Sequence, residues 1–142
     1  MQEIEQKPYR IIVTGWRSWP RRQAYVIWEF LVAEVMKASS ESQYRETVII
    51  EGACPTGVDD YAYRWALGID GVRSERYPAN WQEGKSAGPK RNASMISYGA
   101  DICLAFPGPN SRGTLDCVKK AINAGIQTIV TPYNENGNYA IR

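Results

Sequence analysis

Along this chain, short apolar runs alternate with longer stretches whose apolar residues recur at helical spacing. "RIIVTG" (10–15), "TVIIEG" (47–52) and "DICLAF" (101–106) read as buried strands, and "QTIVTP" (127–132) as a fourth. "VRSERYPA" (72–79) reads as a more amphipathic strand. A helix is expected from about Pro20 to Lys37, with Ala24, Ile27, Trp28, Leu31 and Val35 on one stripe. Proline suits its first turn, where a missing N–H is no loss. "VDDYAYRWALG" reads as a helix stopped near Gly68, and "GPKRNASMISYGA" opens another with proline followed by charge. The last runs from Thr114 to Ala124, with Leu115, Val118 and Ile122 lining one face. Residues 1–9 and 133–142 are polar and read as peripheral tails.

Strands alternating with helices argue for βαβ units and a mostly parallel sheet. The expected fold is a single α/β domain, a three-layer Rossmann-like sandwich with a sheet of about five strands. In such sheets ligands bind beyond the carboxyl ends of the strands, where strand order reverses. Four loops then share one rim: "TGWRSW", "EGACPTGVDD", "PANWQEGKSAGPKRN" and "PGPNSRGT".

Each loop carries chemistry suited to an anion or a sugar. In "PGPNSRGT", Gly108 and Gly113 allow close approach of backbone N–H groups, and the helix start adds unpaired donors and partial positive charge. Thr114 adds a hydroxyl and Arg112 a planar cation. A plain tight turn with Thr114 as N-cap accounts for the same residues. "GKSAGPKRN" sets Lys85, Gly88, Arg91 and Asn92 around a helix start, where a cation is disfavoured unless an anion is bound. Asp59, after Gly52 and Gly57, suits ribose hydroxyls, and it also favours its helix N-terminus. Gly15, Trp16 and Arg17 place an aromatic and a cation after the first strand, where Trp16 or Trp19 suits base stacking; Trp81 offers the same.

Composition narrows the chemistry. The chain has 142 residues, a formal net charge of +2 and no histidine. Histidine triads and histidine metal sites are therefore excluded. Adjacent Asp59 and Asp60 are too little for a dedicated metal cage, so neither metal nor cofactor is expected. The small net charge argues against duplex nucleic acid. No apolar run is long enough to span a membrane. Three cysteines without CxxC spacing, and no apolar leader, read as a reduced cytoplasmic protein. Homo-oligomerisation is left open.

The order "IIVTGWR", "IIEGACPTGVDDYA", "YPANW", "GKSAGPKRNASM" and "GADICLAFPGPNSRGT" resembles the YspA-like branch of the SLOG superfamily, over about residues 10–130. The resemblance implies a Rossmann-like fold and a nucleotide or nucleotide-derived ligand. The superfamily also holds the Lonely Guy phosphoribohydrolases, nucleotide-signal sensors and the single-strand-DNA loader DprA. Gly108, Gly113 and Thr114 fall on its phosphate-binding PGGxGT pattern, and Arg91 falls on the phosphoribohydrolases' catalytic arginine. Where those enzymes carry a glutamate three residues after the threonine, this chain has Cys117, with Asp116 one residue early.

Residues and resemblance together give a nucleotide-binding domain. Three readings stand beside it: a phosphoribohydrolase-type enzyme using Arg91 with Asp59 or Asp116, a protein sequestering a cyclic or ADP-ribose-type signal, and a single-strand nucleic acid binder.

Overall fold

The computed structural model describes residues 5–140. Five strands, β1 (Lys7–Gly15), β2 (Tyr44–Glu51), β3 (Val72–Arg76), β4 (Ile102–Phe106) and β5 (Gln127–Val130), form one sheet in the order β3-β2-β1-β4-β5. Every pairing is parallel. Helices α1 (Ala24–Ser39), α2 (Val58–Leu67), α3 (Ala87–Ser97) and α4 (Arg112–Asn123) cross between strands. The result is the expected three-layer α/β sandwich. β1 lies centrally, and the chain winds outward from it first to one side, through β2 and β3, then to the other, through β4 and β5. The carboxyl ends of β1 and β4 therefore diverge into a crevice, the switch point where such sheets bind ligands.

The apolar runs became strands because both faces of a parallel sheet are covered. Ile11, Val13, Ile49, Ile102, Leu104 and Phe106 face α1 and α2, while Ile12, Val48, Ile50 and Cys103 face α3 and α4. No described helix is long and apolar enough to cross a membrane.

Several local expectations are corrected. α1 follows a 3-10 turn at Arg21–Gln23, and its buried stripe is Ala24, Ile27, Phe30, Leu31, Glu34 and Ala38, with Val26. Trp28, expected inside, is 38% exposed. β1 starts at Lys7, not Arg10, and Tyr9 is buried with its hydroxyl donating to Glu34 at 2.7 Å. β2 likewise begins at Tyr44, three residues ahead of the expected strand start at Thr47.

The carboxyl-terminal segment is not peripheral over its described part. The rings of Tyr133 and Tyr139 pack on Trp19 at 5.4 and 6.0 Å. The Tyr139 hydroxyl donates to Gln23 at 2.5 Å. Residues 1–4 and 141–142 lie outside the described part of the chain.

Trp19 is only 2% exposed, so the segment acts as a lid on the core. Removing residues 133–142 is expected to lower stability by about 2–4 kcal/mol, since each aromatic contributes a large buried area. A urea titration checks this. An unchanged midpoint would mean that the segment only decorates the surface.

Candidate functional site

The crevice at the switch point holds a cavity of about 390 Å³. Its wall takes Thr14 to Ser18 from the end of β1, Cys54 and Asp59 from the β2–α2 connection, Arg91 from α3, and Asn110 to Thr114 from the start of α4.

The loop after β4 builds one wall. Ser111 is the N-cap residue of α4, so Arg112, Gly113 and Thr114 occupy the first turn; Thr114 is not the cap. Ser111 makes no capping bond, because its Oγ accepts from the Gly108 N–H at 2.8 Å. The Arg112 N–H goes to the Asn110 carbonyl at 2.9 Å, with Asn110 in the left-handed region at φ 58°. Among the described residues no side chain caps the Gly113 and Thr114 N–H groups, and both residues line the cavity at the positive end of the helix. Thr114 itself is 5% exposed.

The β1–α1 loop forms the facing wall. A Cβ at Gly108 would run into the Trp16 ring, so the glycine is the seat on which that indole rests. The Tyr133 ring also packs on it, tilted, at 5.3 Å. Gly57 sits at φ 73°, and the Trp16 carbonyl accepts from the Val58 N–H at 3.2 Å, tying this loop to α2. A Cβ at Gly15 would strike Val58 in the same packing. Arg17 projects from this loop and is exposed.

The floor is a network of side chains. α3 begins at Ala87, so Pro89 lies in its first turn and Arg91 one turn in, deeper than the expected position at the helix start. Arg91 is half-buried. It donates through Nη1 to the Gly52 carbonyl at 2.5 Å and through Nε to Asn92 Oδ1 at 2.8 Å. Asn92, 2% exposed, passes the link onward by donating to the Gly113 carbonyl at 3.1 Å. A Cβ at Gly52 would collide with the Arg91 guanidinium, which explains glycine there.

Behind Arg91 lie two buried carboxylates. Glu51, fully buried at the end of β2, accepts from Arg76 Nε and from the Ala53 N–H, each at 2.5 Å. Ala53 is held in the left-handed region at φ 59°, a conformation that costs an alanine about 1–2 kcal/mol. Asp59 accepts from the Cys54 N–H at 3.3 Å. Burial, and then the charge of Glu51, push its carboxyl up to about 7. Burial also raises Glu51, against the pull of Arg76.

Of the residues singled out from sequence, the cavity wall brings together Gly15, Trp16, Arg17, Asp59, Arg91, Arg112, Gly113 and Thr114. Gly52, Gly57, Asn92 and Gly108 support it from behind. Trp81, Lys85 and Gly88 are not part of it. Trp81 is 62% exposed, and with Lys85 it lies on a 3-10 turn before α3. Trp19 is core and unavailable for stacking. Asp116 is outside the wall, held by Lys120 at 2.6 Å and by Asn92 at 3.1 Å. Burial opposes its ionisation, but those bonds outweigh it and keep the carboxyl below its usual range. Cys117 is fully buried against Cys103. Sequence reasoning missed Thr14, Ser18, Cys54, Asn110 and Ser111 on the wall, and Glu51 beneath it. Glu51 had a signal, a lone carboxylate closing the apolar run "TVIIE". Among the described residues no group of three or more acidic or cysteine side chains is placed to hold a metal ion.

The raised Asp59 fixes the sign of a pH effect. Below about pH 3 the folded and unfolded forms are both largely protonated. Between about 4 and 7 the folded form keeps a proton that the unfolded chain has lost, so Asp59 makes stability fall as pH rises. Above about 7 the full penalty is present. Asp59→Asn is therefore expected to stabilise the protein by roughly 2–4 kcal/mol at pH 8, with the gain shrinking toward pH 4. Urea melts at several pH values read this; an equal effect at all pH values would contradict it.

Residues 9–84 match the YspA, cpYpsA-related SLOG family. The chain is also similar to the Gene 61 protein of Mycobacterium phage D29, at 40% identity over 125 residues, covering 84% of this chain and 94% of that one. The family match takes in the Trp16 loop and the Gly52–Asp59 connection, and the phage relative extends the likeness along most of the chain. By its own sequence the chain belongs to the YspA, cpYpsA-related SLOG family.

Proposed function

We propose that the switch-point cavity binds a nucleotide or a nucleotide-derived molecule, held by its phosphate at the start of α4. One observation carries the reading. The cap side chain of α4 is engaged elsewhere, so the Gly113 and Thr114 N–H groups lack a side-chain acceptor and open on a cavity lined by Arg17, Arg91 and Arg112. Backbone donors at a helix N-terminus together with arginines suit a phosphate. Trp16 offers a ring face to a base, and Asp59 an acceptor to ribose hydroxyls. Membership of the SLOG family agrees with nucleotide-related binding or processing.

Isothermal titration with AMP tests the reading. Arg91→Ala is expected to weaken AMP binding by about 1.5–3 kcal/mol, the worth of a charge-assisted hydrogen bond. It is also expected to cost about 1 kcal/mol of stability, because Arg91 bridges Gly52 and Asn92. Unchanged affinity in the folded variant would remove Arg91 from the site. Binding is expected to survive EDTA, since the proposed contacts need no divalent ion; loss of binding restored by Mg²⁺ would refute that.

A second reading, that the bound nucleotide is hydrolysed at its glycosidic bond, is favoured by Asp59. A carboxyl in the cavity wall that titrates near neutrality suits proton transfer at neutral pH. Chromatography of AMP incubated with the protein separates the readings. Binding alone predicts full recovery of AMP, whereas free adenine that disappears in Asp59→Asn would establish the enzyme.

A further inference from the structure

We infer that the ligand carries two linked phosphate groups, the inner one on α4 and Arg91 and the outer one between Arg17 and Arg112. The inference rests on the phosphate-binding reading of the cavity and adds the ligand's charge class to it.

The argument begins with how the chain treats its other arginines. Arg10, Arg45, Arg64, Arg73 and Arg76 each lie within 4.0 Å of a carboxylate oxygen. The three that line the cavity have no carboxylate partner among the described residues, and Arg21 and Arg22 before α1 are the others without one. Arg91 has the buried Glu51 and Asp59 behind it, whereas Arg17 and Arg112 line the cavity with no carboxylate partner among the described residues, and the helix dipole adds to their positive field until an anion enters. The acids nearby leave this outer pair unmatched. Glu51 is fully buried and paired with Arg76, and Asp116 with Lys120. Asp59 is the single acidic side chain of the wall.

The cations also stand at two depths. Arg91 is half-buried and tied through Asn92 to the Gly113 carbonyl, so it belongs to the helix-start subsite. Two of its five N–H donors are engaged, leaving three. Arg17, on the β1–α1 loop, and Arg112, at the first position of α4, are exposed and line the cavity. A lone monophosphate on α4 and Arg91 satisfies the inner group and leaves the outer pair unmatched. A pyrophosphate-type link supplies a second anion adjoining the first, and each arginine presents a planar fork suited to it.

Titration calorimetry at one ionic strength with phosphate, pyrophosphate, AMP and ADP decides the matter. Pyrophosphate is expected to bind about tenfold or more tightly than phosphate, and ADP likewise over AMP. The double variant Arg17→Ala/Arg112→Ala is expected to lose about tenfold or more for ADP, and less than about threefold for AMP. Both side chains are exposed and unpaired, so the fold is expected to persist, and a thermal melt checks it. Equal affinities for AMP and ADP, or equal losses in the variant, would overturn the inference while leaving the phosphate site standing. Failure of all four probes to bind would overturn both. Tighter binding of an oligothymidylate than of ADP, with a steep salt dependence, would overturn the inference in favour of a single-stranded nucleic acid.

Discussion

The candidate site depends on one buried relay, Gly52 to Arg91 to Asn92 to Gly113. It joins the end of β2, the body of α3 and the first turn of α4, three elements that meet nowhere else through side-chain bonds to the backbone. Asn92 suits the central position because its amide donates and accepts at once. It satisfies the Arg91 Nε and the Gly113 carbonyl while almost excluded from water. A buried polar group left without such partners costs more than the bond it would make, so the relay holds its geometry firmly. The position of the α4 first turn relative to the Arg91 guanidinium is thereby set by the protein itself.

The same corner concentrates features that stability alone would not select. Glu51 and Asp59 are buried acids whose charges oppose each other, and Ala53 holds a conformation suited to glycine. Elsewhere the chain follows ordinary rules, with apolar strands, paired surface charges and aromatic edge contacts around Trp19. Strain and unfavourable charge gathered at a switch point, in a protein otherwise locally consistent, support the reading of that corner as the site.

The architecture was legible because buried parallel strands announce themselves as short apolar runs and their loops as glycine-rich breaks. The rim loops could be named without a structure for the same reason. Helix faces were less legible. Leu115 and Ile122 carry the obvious apolar period of α4, yet they are 53% and 58% exposed, and the buried face is Thr114, Cys117 and Ala121. Periodicity finds a stripe but does not say which of two stripes a sheet will accept. Pro89 misled in a similar way, since proline is tolerated throughout a first helical turn and so dates the start only to within that turn. The tail misled because composition described its polar residues, while Tyr133 and Tyr139 determined its packing.

The choice of the smaller stripe follows from what α4 must do. Helices pack on a sheet at a distance set by the side chains between them, and threonine, cysteine and alanine permit close approach. Leucine and isoleucine in those places would lift the helix and carry its first turn away from β1 and β4. Cys117 lies against Cys103 of β4 in the same cluster as Ala121 and Ile12. Cys117 is one turn after Thr114, so the depth of packing at the middle of the helix fixes where its first turn stands. Sheet packing and the geometry of the cavity wall are one constraint here, and it was satisfied at the expense of leaving Leu115 and Ile122 in solvent.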